Sequence, residues 1–346
     1  MADYATSVLV TAQALLNAKY AAPEMRHKDY SIIRTLLKGK DAFDTDVNVM
    51  KTSDGRAIEA YYLKKRATDA ATARAAAHTA ASNGDSGAVA LTWYTKAQKF
   101  KTSLKMSENN MFKDAQFLAN LLESAWINLL DIIEALQATY LDTNKTQVNG
   151  CSAGEFGEFR NDGSTIDHIF EVKQANKNWL FMYLQGMMAN NNYNGMIECI
   201  NDPVGFAIGK QIAMQGNSNA VNTSFQFSNL IMGQSSSLTP LEGYMANGYL
   251  IPEGVAGLIT HVPALNAKGT ETKLQTYSKM TDPFGLGLTA AVHSYPTAAD
   301  TNGTGGATQD EVTQYELSID YANVLAPLSV STETPIYQFG LLSAGD

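Results

Sequence analysis

The longest regular pattern of apolar positions runs from Met111 to Asp142. No glycine or proline interrupts it, and apolar side chains recur every three or four residues, the spacing that places them on one face of an α-helix. At about 1.5 Å per residue such a helix would span roughly 48 Å, well beyond the usual three or four turns. We therefore predict one long amphipathic helix. The residues of its apolar face are Leu118, Leu121, Leu122, Ala125, Trp126, Leu129, Ile132, Ile133, Leu136 and Tyr140.

Before this helix the pattern is that of β-strands. Residues 47 to 63 alternate in polarity around the turn signal Ser53-Asp54-Gly55, which predicts a hairpin. Alternation resumes at Val89 and shifts phase before Met106. In between, residues 67 to 82 include nine alanines among sixteen residues and no large apolar residue. Residues 47 to 106 therefore predict two long strands with a solvated tip. Such a pair of strands would be marginally stable alone in water, so we expect it to pack on neighbouring elements or chains.

After the long helix, short helical and β patterns alternate. Met196 to Ile200 predicts a buried strand, Val204 to Gln215 a short helix, and Ser224 to Met232 a further strand. These elements predict an α+β block of ordinary domain size. They follow a second amphipathic helix, whose apolar face consists of Trp179, Leu180, Tyr183, Leu184, Met187 and Met188.

The C-terminal part is mostly β in pattern, with strands predicted at Leu286 to Tyr295 and at Val312 to Leu325 on either side of a glycine-rich turn. In the last strand apolar and polar residues alternate strictly, so we expect one buried and one solvated face. We expect the apolar face of the long helix to pack against this strand. The alternating residues are Tyr315, Leu317, Ile319 and Tyr321 on one face and Glu316, Ser318 and Asp320 on the other.

The N-terminal residues 1 to 46 predict an arm. Val8, Leu9, Ala12, Leu15 and Leu16 have helical spacing, but the stretch that follows mixes short apolar pairs with charges and a proline. Such a segment has little core of its own, and we expect it to pack on something else.

Composition narrows the classes of function. A net charge of −9 in 346 residues opposes a primary nucleic-acid reader, which needs a basic field. No apolar stretch approaches the about 20 residues of a membrane span, and the long helix carries Glu123, Asp131 and Glu134. The start of the chain lacks the features of a secretory signal, so we expect synthesis and folding in a cytoplasm. Cys151 and Cys199 are far apart and predict two reduced, structural thiols.

Candidate chemistry is sparse. Gly150-Cys151-Ser152-Ala153-Gly154 matches the G-x-S-x-G nucleophile elbow, but a polar stretch after a helix precedes it where a strand is required. Gly285 and Gly287 form a lone G-x-G without the rest of a dinucleotide fingerprint. Lys64-Lys65-Arg66 is interpreted as a solvated strand end, or else as a contact to an acidic neighbour. We expect no catalytic residue, no cofactor and no metal site. The five histidines are scattered and are interpreted as structural: His27, His78, His168, His261 and His293.

The order of these elements resembles that of the major capsid proteins of tailed phages, which have the Hong Kong 97-like fold. Parts of the amino-acid sequence are also similar to that family, in particular to the capsid proteins of crAss-like phages. Three stretches carry the resemblance, namely NNMFKDAQFLANLLESAWINLLDIIEALQATYLDTNKTQVN (Asn109 to Asn149), DPFGLGLTAAVHSY (Asp282 to Tyr295) and TQDEVTQYELSIDYANVLAPLS (Thr308 to Ser329).

The resemblance implies an α+β fold with an N-terminal arm, an extended β loop, a long spine helix, and peripheral and axial domains. The implied bounds are 1–46 for the arm, 47–106 for the loop, 107–172 and 270–346 for the peripheral domain with its spine helix 111–142, and 173–269 for the axial domain.

The resemblance also implies a function, that of a shell subunit which self-assembles into hexamers and pentamers of an icosahedral phage head. The head would enclose double-stranded DNA without sequence-specific binding and would be assembled in the bacterial host cytoplasm. Implied partners are the portal, a scaffold and decoration proteins. Two alternatives remain, an encapsulin-like shell of a cellular compartment and, more remotely, a serine hydrolase using Ser152.

Overall fold

The computed structural model describes residues 2–21, 28–43, 59–63, 86–103, 113–148, 156–161, 163, 167–217, 229–262, 276–299, 310–326 and 333–343. Within these ranges helices and strands are mixed along the chain, and the α+β class predicted from the sequence is confirmed. The α-helices are α1 (Ala2–Lys19), α2 (Ser31–Gly39), α3 (Asp114–Asn144), α4 (Leu180–Asn190) and α5 (Pro203–Asn217). Two short 3₁₀ helices are Lys40–Ala42 and Gln174–Trp179.

The strands form three sheets in the described part of the chain. Their bounds are β1 (Glu59–Leu63), β2 (Ser86–Ala90), β3 (Trp93–Ser103), β4 (Gly157–Arg160), β5 (Ile169–Val172), β6 (Ile197–Asn201), β7 (Leu230–Gln234), β8 (Tyr244–Pro252), β9 (Ala256–His261), β10 (Thr276–Thr281), β11 (Thr289–Ala299), β12 (Asp310–Leu325) and β13 (Tyr337–Leu342).

The long helix α3 runs unbroken for 31 residues, as predicted. At its start the Gln116 side chain accepts a hydrogen bond from the Lys113 backbone N–H at 2.9 Å, which is one of the two hydrogen bonds of a capping box. Most of the predicted apolar face is buried, but Ile132 and Leu136 are 40% and 37% exposed. Other described parts of the chain therefore cover most, but not all, of the predicted apolar face of α3.

The first sheet has the strand order β10-β11-β12-β3, and β9 pairs with the second half of β12. The helix α3 packs along β3 and shares one apolar core with β12, so the predicted packing of helix against the last long strand is confirmed. Phe100 of β3 stacks on Tyr315 of β12, with ring centroids 5.3 Å apart. Helices α1 and α2 complete this core.

The solvated face predicted for β12 is wrong at one position. Asp320 is 5% exposed and accepts a hydrogen bond from the Thr95 hydroxyl at 2.5 Å. Ala322 and Val324, which lie on the same face of β12 as Asp320, are buried in a small core with Phe43, Ala60 and Leu91, so this end of the strand is covered on both faces.

The second sheet has the order β4-β5-β13-β8-β6-β7. The helices α4 and α5 cover it and bury a separate apolar core that includes Met187, Met188 and Phe339. The predicted buried strand at Met196 to Ile200 and the helix after Asp202-Pro203 are both confirmed, as β6 and α5. The helix α2 lies against β6, β7 and β9, so it contacts both large sheets.

The third sheet is the antiparallel pair β1 and β2, in which Glu59 is opposite Ala90 and Leu63 is opposite Ser86. The turn predicted at residues 53–55 and the alanine-rich segment 67–82 lie outside the described residues. The strand β3 follows β2 after two residues but pairs with β12 instead of with β1. The division into arm, loop, peripheral and axial domains stays a prediction.

None of the described helices is long and apolar enough to cross a membrane.

Candidate interaction surface

The acidic residues of α3 fasten the N-terminal segment to the long helix. Glu123 accepts a hydrogen bond from Lys19 at 2.7 Å and one from the Tyr20 hydroxyl. Burial, together with the Glu123 carboxylate, raises the pKa of Tyr20 to about 12. Asp131 forms an ion pair with Lys28 at 2.8 Å. From the sequence, Glu123 and Asp131 indicated only that the helix does not cross a membrane. In the structure they bind Lys19 and Lys28 and so attach the N-terminal segment to the long helix.

Glu134 is the most enclosed of these acids, at 2% exposure. Its carboxylate accepts hydrogen bonds from the backbone N–H groups of Ile32 at 3.2 Å and Ile33 at 3.0 Å, in the first turn of α2. The Ser235 hydroxyl donates a third, at 2.7 Å. A helix begins with unpaired N–H groups and a partial positive charge, so the carboxylate caps α2 from another element. Burial raises the pKa of Glu134 despite these hydrogen bonds.

The C-terminal end of α3 is tied to the second sheet. Lys145, only 10% exposed in its side chain, forms an ion pair with Asp142 at 2.7 Å and donates a hydrogen bond to Gln338 of β13. Tyr249 of β8 donates to Asp142 at 3.1 Å and accepts from Gln338 at 3.1 Å. A lysine at this end also complements the helix dipole. The long helix is thereby bonded through side chains to the N-terminal segment, to α2 and to the second sheet.

The hairpin of β1 and β2 carries large apolar residues that its own chain leaves uncovered. Its base is anchored, because Ala60 is buried in a cluster with Phe43 and Leu91. In contrast, Tyr61 is 52% and Leu63 is 88% exposed. These two side chains lie on one face of β1, since alternate residues of a strand point the same way.

A groove separates the C-terminal half of α3 from strands β2, β3 and β12, with a cavity volume of about 480 Å³. Leu136 and Tyr94, half-exposed, lie at its rim, and Tyr94 packs on Tyr321 with ring centroids 5.8 Å apart. Gln137 is fully buried, and neither polar atom of its amide has a hydrogen-bond partner among the described residues. The lining residues are Ala90, Thr92, Tyr94, Lys96, Leu136, Gln137, Thr139, Tyr140, Thr143, Asn144, Tyr321 and Asn323.

The residues that the sequence singled out for chemistry are not brought together. Ser152, Cys151 and the Lys64-Lys65-Arg66 run lie outside the described residues. Cys199 is buried, as predicted for a structural thiol, and burial raises its pKa to about 12. Within the described ranges no cluster of histidine, cysteine and acidic residues could hold a metal ion.

The lone G-x-G is a turn. Gly285 and Gly287 have φ angles of 78° and 80°, a conformation that residues with a side chain rarely adopt. The turn is organised by Asp282, whose carboxylate accepts hydrogen bonds from the backbone of Phe284, Leu286 and Leu288. This turn explains why β11 begins at Thr289, three residues later than predicted.

Two tryptophans predicted as core residues differ in outcome. Trp126 is fully buried, and its indole N–H lies 3.4 Å from the sulfur of Met280. Trp179 is 55% exposed, so that prediction is wrong. Trp179 ends a 3₁₀ helix, which has three residues per turn, and its side chain is therefore out of phase with the face of α4.

Comparisons with known proteins find similarity among solved structures alone. No family model and no curated protein matches the chain. Solved structures similar to it include the capsid of cyanophage P-SCSP1u, at 11% identity and a TM-score of 0.45, covering 85% of each chain. The capsid of Ralstonia phage GP4 is 7% identical with a TM-score of 0.45, over 85% of this chain and 86% of that chain. The mature capsid of bacteriophage PhiM1 is 8% identical with a TM-score of 0.41, over 84% and 83%.

These three solved structures are phage capsids. The particular likeness to crAss-like phages stays a prediction.

Proposed function

We propose that the chain is the major capsid protein of a tailed phage, a Hong Kong 97-like subunit that self-assembles into the hexamers and pentamers of an icosahedral head. One observation carries this proposal. The long helix is firmly bonded to other described parts of the chain, while the neighbouring pair of strands β1 and β2 leaves Tyr61 half-exposed and Leu63 88% exposed.

A stable core that carries exposed apolar side chains is expected of a subunit that buries further surface when it assembles. The hairpin strands are short, and a two-stranded pair of this size is marginally stable alone. Contact with neighbouring subunits would bury its exposed residues and stabilise it.

The acidic character of the chain also supports a shell. A net charge of −9 suits a wall that encloses double-stranded DNA without binding a particular sequence. Portal, scaffold and decoration proteins are the proposed partners, and the virion, assembled in the host cytoplasm, is the proposed location. We propose no enzymatic activity.

Particle size tests the proposal. The purified chain is subjected to size-exclusion chromatography and negative-stain microscopy over a range of salt and pH, where we expect shells or capsomers of megadalton to sub-megadalton mass. A monomer or dimer under every condition would contradict a shell function.

Two further measurements separate the alternatives. Particles isolated from phage lysates should contain this chain together with nuclease-resistant double-stranded DNA, whereas an encapsulin-like compartment would contain a cargo enzyme instead. A serine hydrolase would be labelled by an active-serine probe and lose that label on Ser152→Ala, and we expect no labelling of either protein.

A further inference from the structure

One face of the first sheet is open to solvent in the described part of the chain. Tyr277, His293, Glu316 and Lys99 lie side by side across its four strands. Alternate residues of each strand point the same way, and the residues between them point into the core shared with α3. The alternate residues of 277–279, 291–295, 314–318 and 97–101 that include this row are called the open face below. Each of them is at least partly exposed.

A rigid aromatic group lies on the open face. Tyr277 of β10 stacks on His293 of β11, with ring centroids 4.2 Å apart and an interplanar angle of 6°. His293 also packs against Tyr295, with centroids 5.1 Å apart, and the Tyr295 hydroxyl donates a hydrogen bond to Gln314 at 2.9 Å. Side chains held in this way lose little conformational freedom when a partner covers them, and tyrosine is enriched among the residues that dominate protein interfaces.

The open face is cationic, although the chain as a whole has a net charge of −9. Lys99 forms an ion pair with Glu316 at 3.3 Å, which neutralises both. Lys101 and Lys279 are exposed, and neither has an ion-pair partner among the residues that the structure describes. Two unpaired positive charges therefore flank the aromatic group.

The two unpaired lysines lie at opposite corners of the open face. The register places Lys279 of β10 in the same row as Ala97 of β3, three strand spacings away, which is about 14 Å. Lys101 is four residues further along β3, about 13 Å at about 3.3 Å per residue. The Cα atoms of Lys101 and Lys279 are therefore about 20 Å apart, and the aromatic group lies between them.

An extended polypeptide of matching pattern fits this arrangement. Six residues of an extended chain span about 20 Å, and alternate residues point to the same side. Acidic residues at positions i and i+6 would reach Lys101 and Lys279, while apolar residues at i+2 and i+4 would contact the aromatic group. Charge complementarity and an apolar centre are the usual composition of a protein interface.

Double-stranded DNA fits less well. It carries one negative charge per about 1.7 Å of its axis, and proteins that bind it neutralise on the order of 6 to 10 phosphates. The open face offers two unpaired lysines, and a phosphate backbone has no apolar group to cover Tyr277 and His293.

This chain does not contain the matching pattern. Two pairs of acidic residues are six positions apart, at the ends of 108–114 and of 310–316. The first pair has Asn110 and the second has Gln314 at a position where the pattern requires an apolar residue. Neither the same chain nor a second copy of it supplies the segment, so the occupant belongs to a different protein.

We propose that the open face binds a separate protein through an extended segment with acidic residues at i and i+6 and apolar residues at i+2 and i+4. This inference goes beyond the proposed shell function and does not rest on it, because the face is present on the single chain.

A peptide titration tests the proposal. The fluorescein-labelled peptide ESLSFSE carries the pattern, and its binding to the purified full chain is measured by fluorescence anisotropy. We expect saturable binding that weakens roughly tenfold in Lys101→Gln/Lys279→Gln, because both ion pairs are lost. The matched control is Lys177→Gln, since Lys177 is exposed but lies beside the second sheet, and its affinity should stay within about twofold of the wild type.

The aromatic group is tested separately. Tyr277→Ala should weaken binding of ESLSFSE by roughly tenfold, and the peptide ESSSSSE should bind the wild type as weakly, because each change removes the apolar contact. Circular dichroism of every variant should match that of the wild type, since the substituted side chains are exposed.

Three outcomes would overturn the proposal. The first is the absence of saturable binding, or equal binding by the wild type and the lysine and tyrosine variants. The second is a 20-base-pair DNA duplex that binds this face more tightly than the peptide, which would indicate nucleic acid. The third is loss of particles in Lys101→Gln/Lys279→Gln but not in Lys177→Gln, which would make the face a contact between copies. Particle formation by the wild type, measured without peptide, tests the shell function independently.

Discussion

Glu134 of α3 accepts a hydrogen bond from the backbone N–H of Ile33 at 3.0 Å, and so a side chain of one helix caps the start of another. The residues are far apart in sequence, and the N-cap residue of α2, Tyr30, makes no capping hydrogen bond with its own side chain. The N-terminal segment therefore depends on the long helix for a proper helix start, which leads to the first two predictions.

We expect Glu134→Ala to lower the free energy of unfolding by about 3 kcal/mol, because three buried donors lose their acceptor. Urea denaturation followed by circular dichroism measures the loss. Glu123→Ala removes an ion pair to the half-exposed Lys19 and a hydrogen bond from Tyr20, and should cost less, about 1 to 2 kcal/mol. Equal losses for the two variants would contradict the capping role of Glu134.

The side-chain carboxyl of Glu134 should also make the free energy of unfolding depend on pH. Burial raises the pKa of Glu134 in the folded state above its ordinary value of 4.5, so the folded state binds more protons than the unfolded state in the window above pH 4.5. Stability from this group is therefore present at low pH and falls as pH rises through the raised pKa. The wild type minus Glu134→Gln difference in urea midpoint, measured from pH 4 to 8, should decline across this window. A difference independent of pH would refute the raised pKa.

Replacing Trp126 by alanine should lower stability strongly, whereas replacing Trp179 should have little effect. We expect Trp126→Ala to cost about 3 to 5 kcal/mol, since it opens a cavity in the core shared by α3 and the first sheet. Trp179→Ala should change stability by less than about 0.5 kcal/mol, because the side chain is mostly exposed. Thermal unfolding of both variants measures this contrast, and similar melting temperatures would show that the two environments are misassigned.

Two glycines offer a test of how closely α2 approaches β9. A Cβ at Gly39 would lie 1.8 Å from the Ala256 carbonyl oxygen, so Gly39→Ala must displace the helix from the strand and should destabilise by 1 to 3 kcal/mol, that is by about the cost of overpacking. At Gly186, within α4, nothing lies within 4 Å of such a Cβ. Gly186→Ala should stabilise by about 0.5 to 1 kcal/mol, since alanine is the better helix former. Urea unfolding of both proteins would reveal the opposite signs, and a neutral Gly39→Ala would mean that the helix is less tightly seated.

Local periodicity was sufficient for the elements that bury one face against a single partner. The long helix around Trp126 and the strand β6 are where the apolar pattern placed them. It failed where a second core covers the face expected to be solvated, as at Asp320, or where the helix type changes, as at Trp179.

The candidate interaction surface was less accessible to sequence reasoning. The groove is lined by residues of α3, β2, β3 and β12, among them the polar Gln137 and Asn323, and only the tertiary structure brings these elements together. The acids of α3 were visible, but their partners are about a hundred positions away in sequence. The signal that could have indicated them is the placement of Glu123, Asp131 and Glu134 among the apolar residues of the helix.

The position of β13 has a consequence for how the molecule folds. This strand lies between β5, with which it is parallel, and β8, with which it is antiparallel. Among the described strands, β4 and β5 are joined by hydrogen bonds to the rest of the second sheet only through β13. They are synthesised long before β13. Pairing over such a sequence separation is slow. The sheet therefore closes late, and a partly made chain still exposes the edges of β5 and β8 that β13 later covers.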